Sequence, residues 1–263
     1  MNSKSTNWLF LRGLSREAAH WGTFPKEFEK QIAGAKVTAI DLPGNGQFWN
    51  EPTPLTLNEL MEFVRAQWKK NPASSEPVHL FAMSLGAMTA LQWMHRYPQE
   101  IAAAVFVNTS LRGFSPFFHR LSPGAYPSLI RLFLDRDART REKGILDLTS
   151  QKTDWPEAEL ERREQIQKAH PVKKANAFRQ IRAALSTVET KAAPSQPLLL
   201  LNSLGDLLVH PDCSKKIAHA WNVPIRRHAW AGHDLALDDP QWTLNAVNEW
   251  LNQIKIDKTS ARR

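Results

Sequence analysis

The order of apolar runs and amphipathic stretches predicts an α/β fold. It should be a mostly parallel sheet of about six strands, with helices on both faces and a helical segment inserted after the fourth strand. Three observations predict it. Short apolar runs alternate with helical patterns at both ends of the chain, as strand–helix–strand crossovers do. The run Ile101 to Val107 is apolar at every position, as a strand covered on both faces requires. Between Leu111 and Pro194 the strand pattern stops, and it resumes at Pro197 to Leu201.

Taken in order, Trp8 to Leu11 reads as the first strand, ended by Arg12-Gly13, and roughly Phe24 to Ile32 as a helix. Lys36 to Ile40 is the second strand, stopped by the dense turn signal Asp41-Leu42-Pro43-Gly44-Asn45-Gly46. Thr56-Leu57-Asn58-Glu59 has the form of a capping box, in which hydroxyl and carboxylate satisfy free N–H groups. Leu57, Leu60, Met61, Val64 and Trp68 then recur at helical spacing. Val78 to Met83 is the third strand, and the helix after it ends near Pro98. Glu157 to Ala169 and Val172 to Leu185 read as helices of the insertion. Ile225 to Trp230 is the last strand, Trp242 to Ile254 the last helix, and 257–263 a frayed polar tail.

The chain has 263 residues, 42% of them hydrophobic, with 34 Lys+Arg against 26 Asp+Glu and a net charge of +8. That composition excludes a largely disordered chain. The lone cysteine, Cys213, forms no internal disulfide and builds no zinc cluster. The apolar runs are far too short for a membrane span, and the first residues lack a secretory core, so the expected compartment is the cytoplasm. The segment from Leu111 to Pro194 holds 16 Lys+Arg and 10 Asp+Glu. The basic excess is therefore concentrated there. No zinc, winged-helix or RNA-binding motif accompanies it, and nucleic acid is not expected as a partner. Gly44-Asn45-Gly46 lacks the third glycine and the helix start of a dinucleotide loop, and no His-Glu-x-x-His motif or Cys/His cluster suggests a metal.

Phe81-Ala82-Met83-Ser84-Leu85-Gly86 carries the strongest chemical signal. A serine at the apex of a sharp strand-to-helix turn projects from the sheet, and the turn closes only if its neighbours two residues away are small. Ala82 and Gly86 meet that demand. A serine nucleophile needs a base, and the base needs an orienting acid. Asp206 follows the strand ending at Leu201, and His233 follows the last strand, so both fall on the same rim as Ser84. Each also has an ordinary alternative, as a helix cap, a turn residue and a surface histidine. His228, His210, Asp212 and Asp234 are competing candidates. Asn108-Thr109-Ser110, after the fourth strand, offers no carboxylate. For an oxyanion, the backbone N–H groups of Leu14 and Leu85 are the expected donors, with Gly13 allowing close approach.

These pieces together resemble the α/β-hydrolase superfamily. The matching segments are Arg12-Gly13-Leu14, Asp41 to Gly46, Ala82 to Gly86, Gly205-Asp206 and Gly232-His233. The pattern is similar to small carboxylesterases such as the pimeloyl-acyl-carrier-protein methyl ester esterases. The resemblance implies a Ser84, His233 and Asp206 triad, no cofactor, and a helical cap. Residues 1–110 and 195–263 would be the core and 111–194 the cap or lid. Departures are Arg12 where the family usually has His, Ala82 for the first glycine of the serine turn, and Phe48 where Ser is common.

The expected function is hydrolysis of a carboxylic ester through an acyl-enzyme, on a small-molecule or carrier-bound acyl substrate. A thioesterase on the same residues and a non-catalytic binder are the alternatives. In the insertion, Phe114, Phe117, Phe118, Tyr126, Leu132 and Phe133 either line an acyl pocket or, for most of them, pack the cap on the core. Arg131, Arg136, Arg139, Arg141, Arg162, Arg163, Lys168, Lys173 and Lys174 either attract an acidic acyl carrier protein or anionic acyl group, or form a solvated face paired with Glu159, Glu161 and Glu164. The solvated face is the default expectation.

Overall fold

A computed structural model of the chain describes residues 5–186 and 191–260. Six strands form one sheet: β1 (Thr6–Leu11), β2 (Ala35–Ala39), β3 (Val78–Met83), β4 (Ile101–Val107), β5 (Leu198–Ser203) and β6 (Ile225–His228). Their spatial order is β2-β1-β3-β4-β5-β6, and all neighbouring pairs are parallel. The predicted α/β architecture is met. The chain leaves β1 for the edge strand β2 and returns on the other side of β1 as β3. Strand order therefore reverses between β1 and β3, and a ligand crevice opens where such a reversal occurs, at the carboxyl ends of the strands. Here those ends are Leu11 and Met83.

The helices of the core are α1 (Phe24–Gln31), α2 (Leu57–Trp68) and α3 (Leu85–Arg96). Three more lie between β4 and Thr149, α4 (Phe117–Arg120), α5 (Tyr126–Leu134) and α6 (Ala138–Thr149), with α7 (Glu157–Ala169) after them. The series ends with α8 (Lys174–Leu185), α9 (Asp212–Trp221), α10 (Leu235–Asp238) and α11 (Pro240–Ser260). Alternate strand residues feed two cores. Leu9, Leu80 and Phe106 pack with α2, α3 and α9, while Phe10, Phe81 and Val105 pack with α1 and α11. On the second face Phe10 and Phe81 stack at 4.8 Å, and Phe28 meets Phe10 edge-on at 5.1 Å. Such pairs contribute about 0.5–1.5 kcal/mol each beyond their buried area. Cys213 on α9 is fully buried, and burial pushes its thiol up.

The element boundaries differ from the sequence reading where side chains alone do not decide them. β5 continues to Ser203, and β6 stops at His228. α11 begins at Pro240 and runs to Ser260. The predicted last helix, Trp242 to Ile254, is thus extended at both ends, since no Gly or Pro interrupts the stretch after Pro240; residues 261–263 lie outside the described residues. The Thr56 hydroxyl accepts from the Glu59 N–H at 3.2 Å as expected. The Glu59 carboxylate instead accepts from that same hydroxyl, so the box closes on the side chain. No described helix is long and apolar enough to cross a membrane.

Glu100 ties α2 to α3. It accepts from Arg65 at 2.8 and 2.9 Å, from the Trp93 indole at 2.8 Å, and pairs with Lys69 at 3.0 Å. Burial alone would raise its carboxyl, but these donors outweigh it and hold it at about 2, against 4.5 normally. The ionised form is therefore the one the folded state favours. Its contribution is complete above the ordinary value and fades as pH falls through the folded one. Glu100→Gln is expected to lower the thermal midpoint at neutral pH, with the gap to wild type narrowing from about pH 4.5 towards 2. Midpoints measured across that range check this.

The segment inserted between β4 and β5 is anchored through buried polar contacts. Arg16 donates to both oxygens of Glu142 on α6 at 2.9 and 2.7 Å. Gln180 on α8 accepts from the Ser15 N–H at 2.7 Å and donates to Asn45 at 3.0 Å. His20 lies beside Glu142. Burial and the nearby Arg16 and Arg12 hold its pKa well below the ordinary histidine value, so it is neutral and its Nδ1 accepts from the Glu17 N–H.

Candidate active site

Ser84 occupies the turn between β3 and α3 with φ 53° and ψ −118°. A non-glycine residue there stores about 1–3 kcal/mol of strain. The surroundings hold it. Its N–H donates to Val107 O at 3.0 Å, and its carbonyl accepts from Ala87 and Met88. Small neighbours make the turn possible. A Cβ on Gly86 would sit 2.5 Å from Arg12 O and 2.7 Å from Leu11 O, and one on Gly13 would come within 3.1 Å of Ser84 Cβ. The β1 turn is thereby pressed against the serine.

Asp206 and His233 are brought together by the loops after β5 and β6. The Gly205 N–H donates to Ala231 O at 3.0 Å, and a side chain at Gly205 would strike Trp230 O. Asp206 Oδ1 accepts from the Leu208 and Val209 N–H groups at 2.8 and 2.9 Å. Its Oδ2 accepts from His233 Nδ1 at 2.7 Å, and both side chains are buried. Because a carboxylate only accepts, Nδ1 carries a proton, and Nε2 is the nitrogen left to accept one when the ring is neutral. Ser84 and His233 line one cavity of about 230 Å³. Leu14, next to Gly13, lines the same cavity. Leu85 is the first residue of α3, where helical N–H groups lack internal acceptors.

The competing candidates are engaged elsewhere. His228 takes the Ala231 N–H on Nδ1 and faces Asp239 through Nε2 at 3.1 Å. His210 stacks on His119 at 4.4 Å, and Asp212 opens α9. Asp234 is fixed by a bidentate pair with Arg12, at 3.1 and 2.6 Å. Burial alone would raise the Asp234 carboxyl, but Arg12, with Arg163 and Arg16 farther off, outweighs it and holds it below the ordinary value. Arg12 thus stands where the related pattern has histidine, its guanidinium 4.4 Å over Trp21.

One residue that sequence reasoning passes over is Asn108, set aside for lacking a carboxylate. It sits at the end of β4 with φ 45°. Its Nδ2 donates to Ser203 Oγ at 2.9 Å, Gly232 O at 3.2 Å and His233 O at 2.8 Å, while Oδ1 accepts from the Ser203 N–H. It clamps the His233 backbone to the sheet. The only available signal was that asparagine tolerates positive φ better than most residues. Asn108→Ala leaves these buried groups unpaired, and a loss of about 1–3 kcal/mol in unfolding free energy is expected, measurable by urea denaturation.

Most of the cavity wall is apolar and comes from the insertion, including Leu129, Leu132, Phe133, Ile145 and Leu148. Of the aromatic residues singled out in the sequence, only Phe133 lines it. Phe114 packs on Trp221 at 5.3 Å, Tyr126 is half-buried with its hydroxyl on Leu121 O, and Phe117 and Phe118 are exposed. Phe48 packs edge-on against Phe63.

A parallel sheet with a strained serine turn and a buried Asp–His pair on its carboxyl rim defines an α/β hydrolase architecture. The comparisons agree: the model of the alpha/beta hydrolase family matches residues 8–246, and the chain belongs to that family. Among similar solved structures are a thermophilic esterase from Thermogutta terrifontis and the enol-lactonase from Burkholderia xenovorans LB400. The esterase is 18% identical, with TM-score 0.74 over 96% of this chain and 92% of that one. The lactonase is 15% identical, with TM-score 0.74 over 95% and 92%. E-2-(acetamidomethylene)succinate hydrolase is 16% identical, with TM-score 0.72 over 95% and 93%. At such identities the likeness concerns the fold. None of the curated proteins compared matches the chain by sequence.

Proposed function

We propose that the protein is a serine hydrolase that cleaves a carboxylic ester, with Ser84 as nucleophile, His233 as base and Asp206 as its orienting acid. The observation that carries this reading is the buried 2.7 Å Asp206–His233 hydrogen bond opening onto the cavity that Ser84 also lines. His233 Nε2 takes the Ser84 proton as Oγ attacks the ester carbonyl. The N–H groups of Leu14 and Leu85 receive the oxyanion. The C–O bond then breaks, and the alcohol leaves with the proton from His233. Water, activated by the same histidine, attacks the acyl-enzyme and releases the acid. In this reading residues 111–194 act as a cap over residues 1–110 and 195–263, and the apolar wall they supply receives the acyl chain.

A fluorophosphonate probe tests the proposal. Wild type should be labelled and Ser84→Ala should not. Folded wild type that fails to label would overturn the reading in favour of a binding protein. A matched ester and thioester pair, including an acyl group on its carrier protein, then defines the leaving group.

A further inference from the structure

The basic excess of the inserted segment is unevenly neutralised. On and around α7, Arg162 and Arg163 pair with Glu159, Lys168 with Glu164, and Arg139 with Glu157. That part is the internally paired face that the sequence suggests. α5 and α8 are different. Neither contains an Asp or Glu. Among the described residues Arg131, Arg182 and Lys174 form no ion pair with a carboxylate, and nor does Arg136 just beyond α5. The neighbours of Arg136, Asp135 and Asp137, spend a carboxylate oxygen each on backbone N–H groups.

α5 and α8 carry large apolar side chains as well as these cations. Ile130 and Leu134, one turn apart on α5, are 61% and 65% exposed, and Phe178 on α8 is 58% exposed. Phe178 meets Phe133 at 4.8 Å, and Lys174 lies 4.8 Å over the same ring, so the two helices present one continuous face. Phe133, Lys174 and Ile181 also line the cavity. The apolar patch therefore borders the cavity.

We propose that the α5–α8 face docks on an anionic lipid surface. Ile130, Leu134 and Phe178 would enter the headgroup boundary, and Arg131, Arg136 and Arg182 would meet lipid phosphates. Exposed apolar side chains accompanied by Lys and Arg, on helices that themselves carry no acidic residue, are the features by which a helix lies in a membrane interface. A soluble acidic partner would account for the cations but not for three large apolar side chains presented to solvent beside them. Docking would bring the cavity wall against the lipid. The inference goes beyond ester hydrolysis and does not depend on it.

Co-sedimentation of the full chain with vesicles tests it. Binding should be strong to phosphatidylcholine vesicles carrying about a third phosphatidylglycerol, weak to pure phosphatidylcholine, and reduced by salt. The triple variant Arg131→Gln, Arg136→Gln, Arg182→Gln should bind roughly a hundredfold more weakly, about fivefold per charge. Ile130→Ser with Leu134→Ser should weaken binding roughly tenfold or more. Both variants change exposed side chains and should keep the wild-type thermal midpoint, which confirms that they fold. Absence of binding, equal binding to both vesicle types, or binding untouched by either variant would overturn the proposal. Retention on a polyglutamate surface without vesicle binding would overturn it in favour of an acidic protein partner. Fluorophosphonate labelling of Ser84 is read separately, so the two proposals fail independently.

Discussion

Replacing Ser84 by alanine is expected to lower turnover of a chromogenic ester by about four to six orders of magnitude while leaving the fold intact. The size follows from the role assigned to the hydroxyl: without it no acyl-enzyme forms, and only the oxyanion donors and the apolar wall remain. Removing His233 as well should cost little more, because on the proposed mechanism the two residues act as one unit. Stability should move the other way. Ser84 holds φ 53° only under constraint, and glycine at this position would relieve it, so Ser84→Gly should be inactive yet no less stable than Ser84→Ala. Steady-state kinetics and thermal midpoints of the three variants check this. Substantial residual turnover in Ser84→Ala would remove the serine from the chemistry.

The second large effect is expected from Arg12→Ala. This arginine is buried and forms both hydrogen bonds to the buried Asp234 carboxylate. Removing one partner of such a pair leaves an uncompensated charge, at a cost of about 3–5 kcal/mol. In a protein with a net stability of about 5–15 kcal/mol, that is a large fraction. The pH dependence gives a sharper test. In wild type the Asp234 carboxyl is held below its ordinary value. The stabilisation is therefore present above about pH 4 and lost as pH falls through the lower folded value. Without Arg12, burial raises the carboxyl, and the penalty is greatest at neutral pH and relieved on acidification. The gap between wild type and variant should narrow as pH drops. Arg12→Met with Asp234→Leu should be less destabilised than Arg12→Ala, since neither charge is then left alone. Activity should fall as well, because Arg12 precedes the Gly13-Leu14 turn and Asp234 follows His233. A variant with an unchanged thermal midpoint would show that the pair contributes nothing.

The parts of this molecule that were legible in sequence are those written in local punctuation. Ile101 to Val107 could only be a strand buried on both faces. The small residues about Ser84 announce a tight turn, and the Gly-Asp and Gly-His dipeptides mark the loops that bring Asp206 to His233. What could not be read depends on distances across the fold. Arg12 and Asp234 are 222 positions apart, and nothing near either names the other. Asn108 looked uninformative because its function is to hold backbone carbonyls, which leave no trace in side-chain composition. The charges of the insertion formed one undifferentiated basic block in sequence. The packing shows which of them meet: α7 pairs its own cations, and Phe133 and Phe178 join α5 to α8.

The placement of the pieces along the chain has a consequence for synthesis. Ser84 and His233 are separated by about 150 residues, and Asp206 comes late as well. At about 5–20 residues per second, a ribosome needs roughly 7–30 seconds to pass from the first to the last. β3 has its neighbours β1 and β4 long before the imidazole has been made. A nascent chain thus exposes the serine turn before the His233 imidazole exists, and on the proposed mechanism Ser84 becomes reactive only once the segment that carries His233 has emerged.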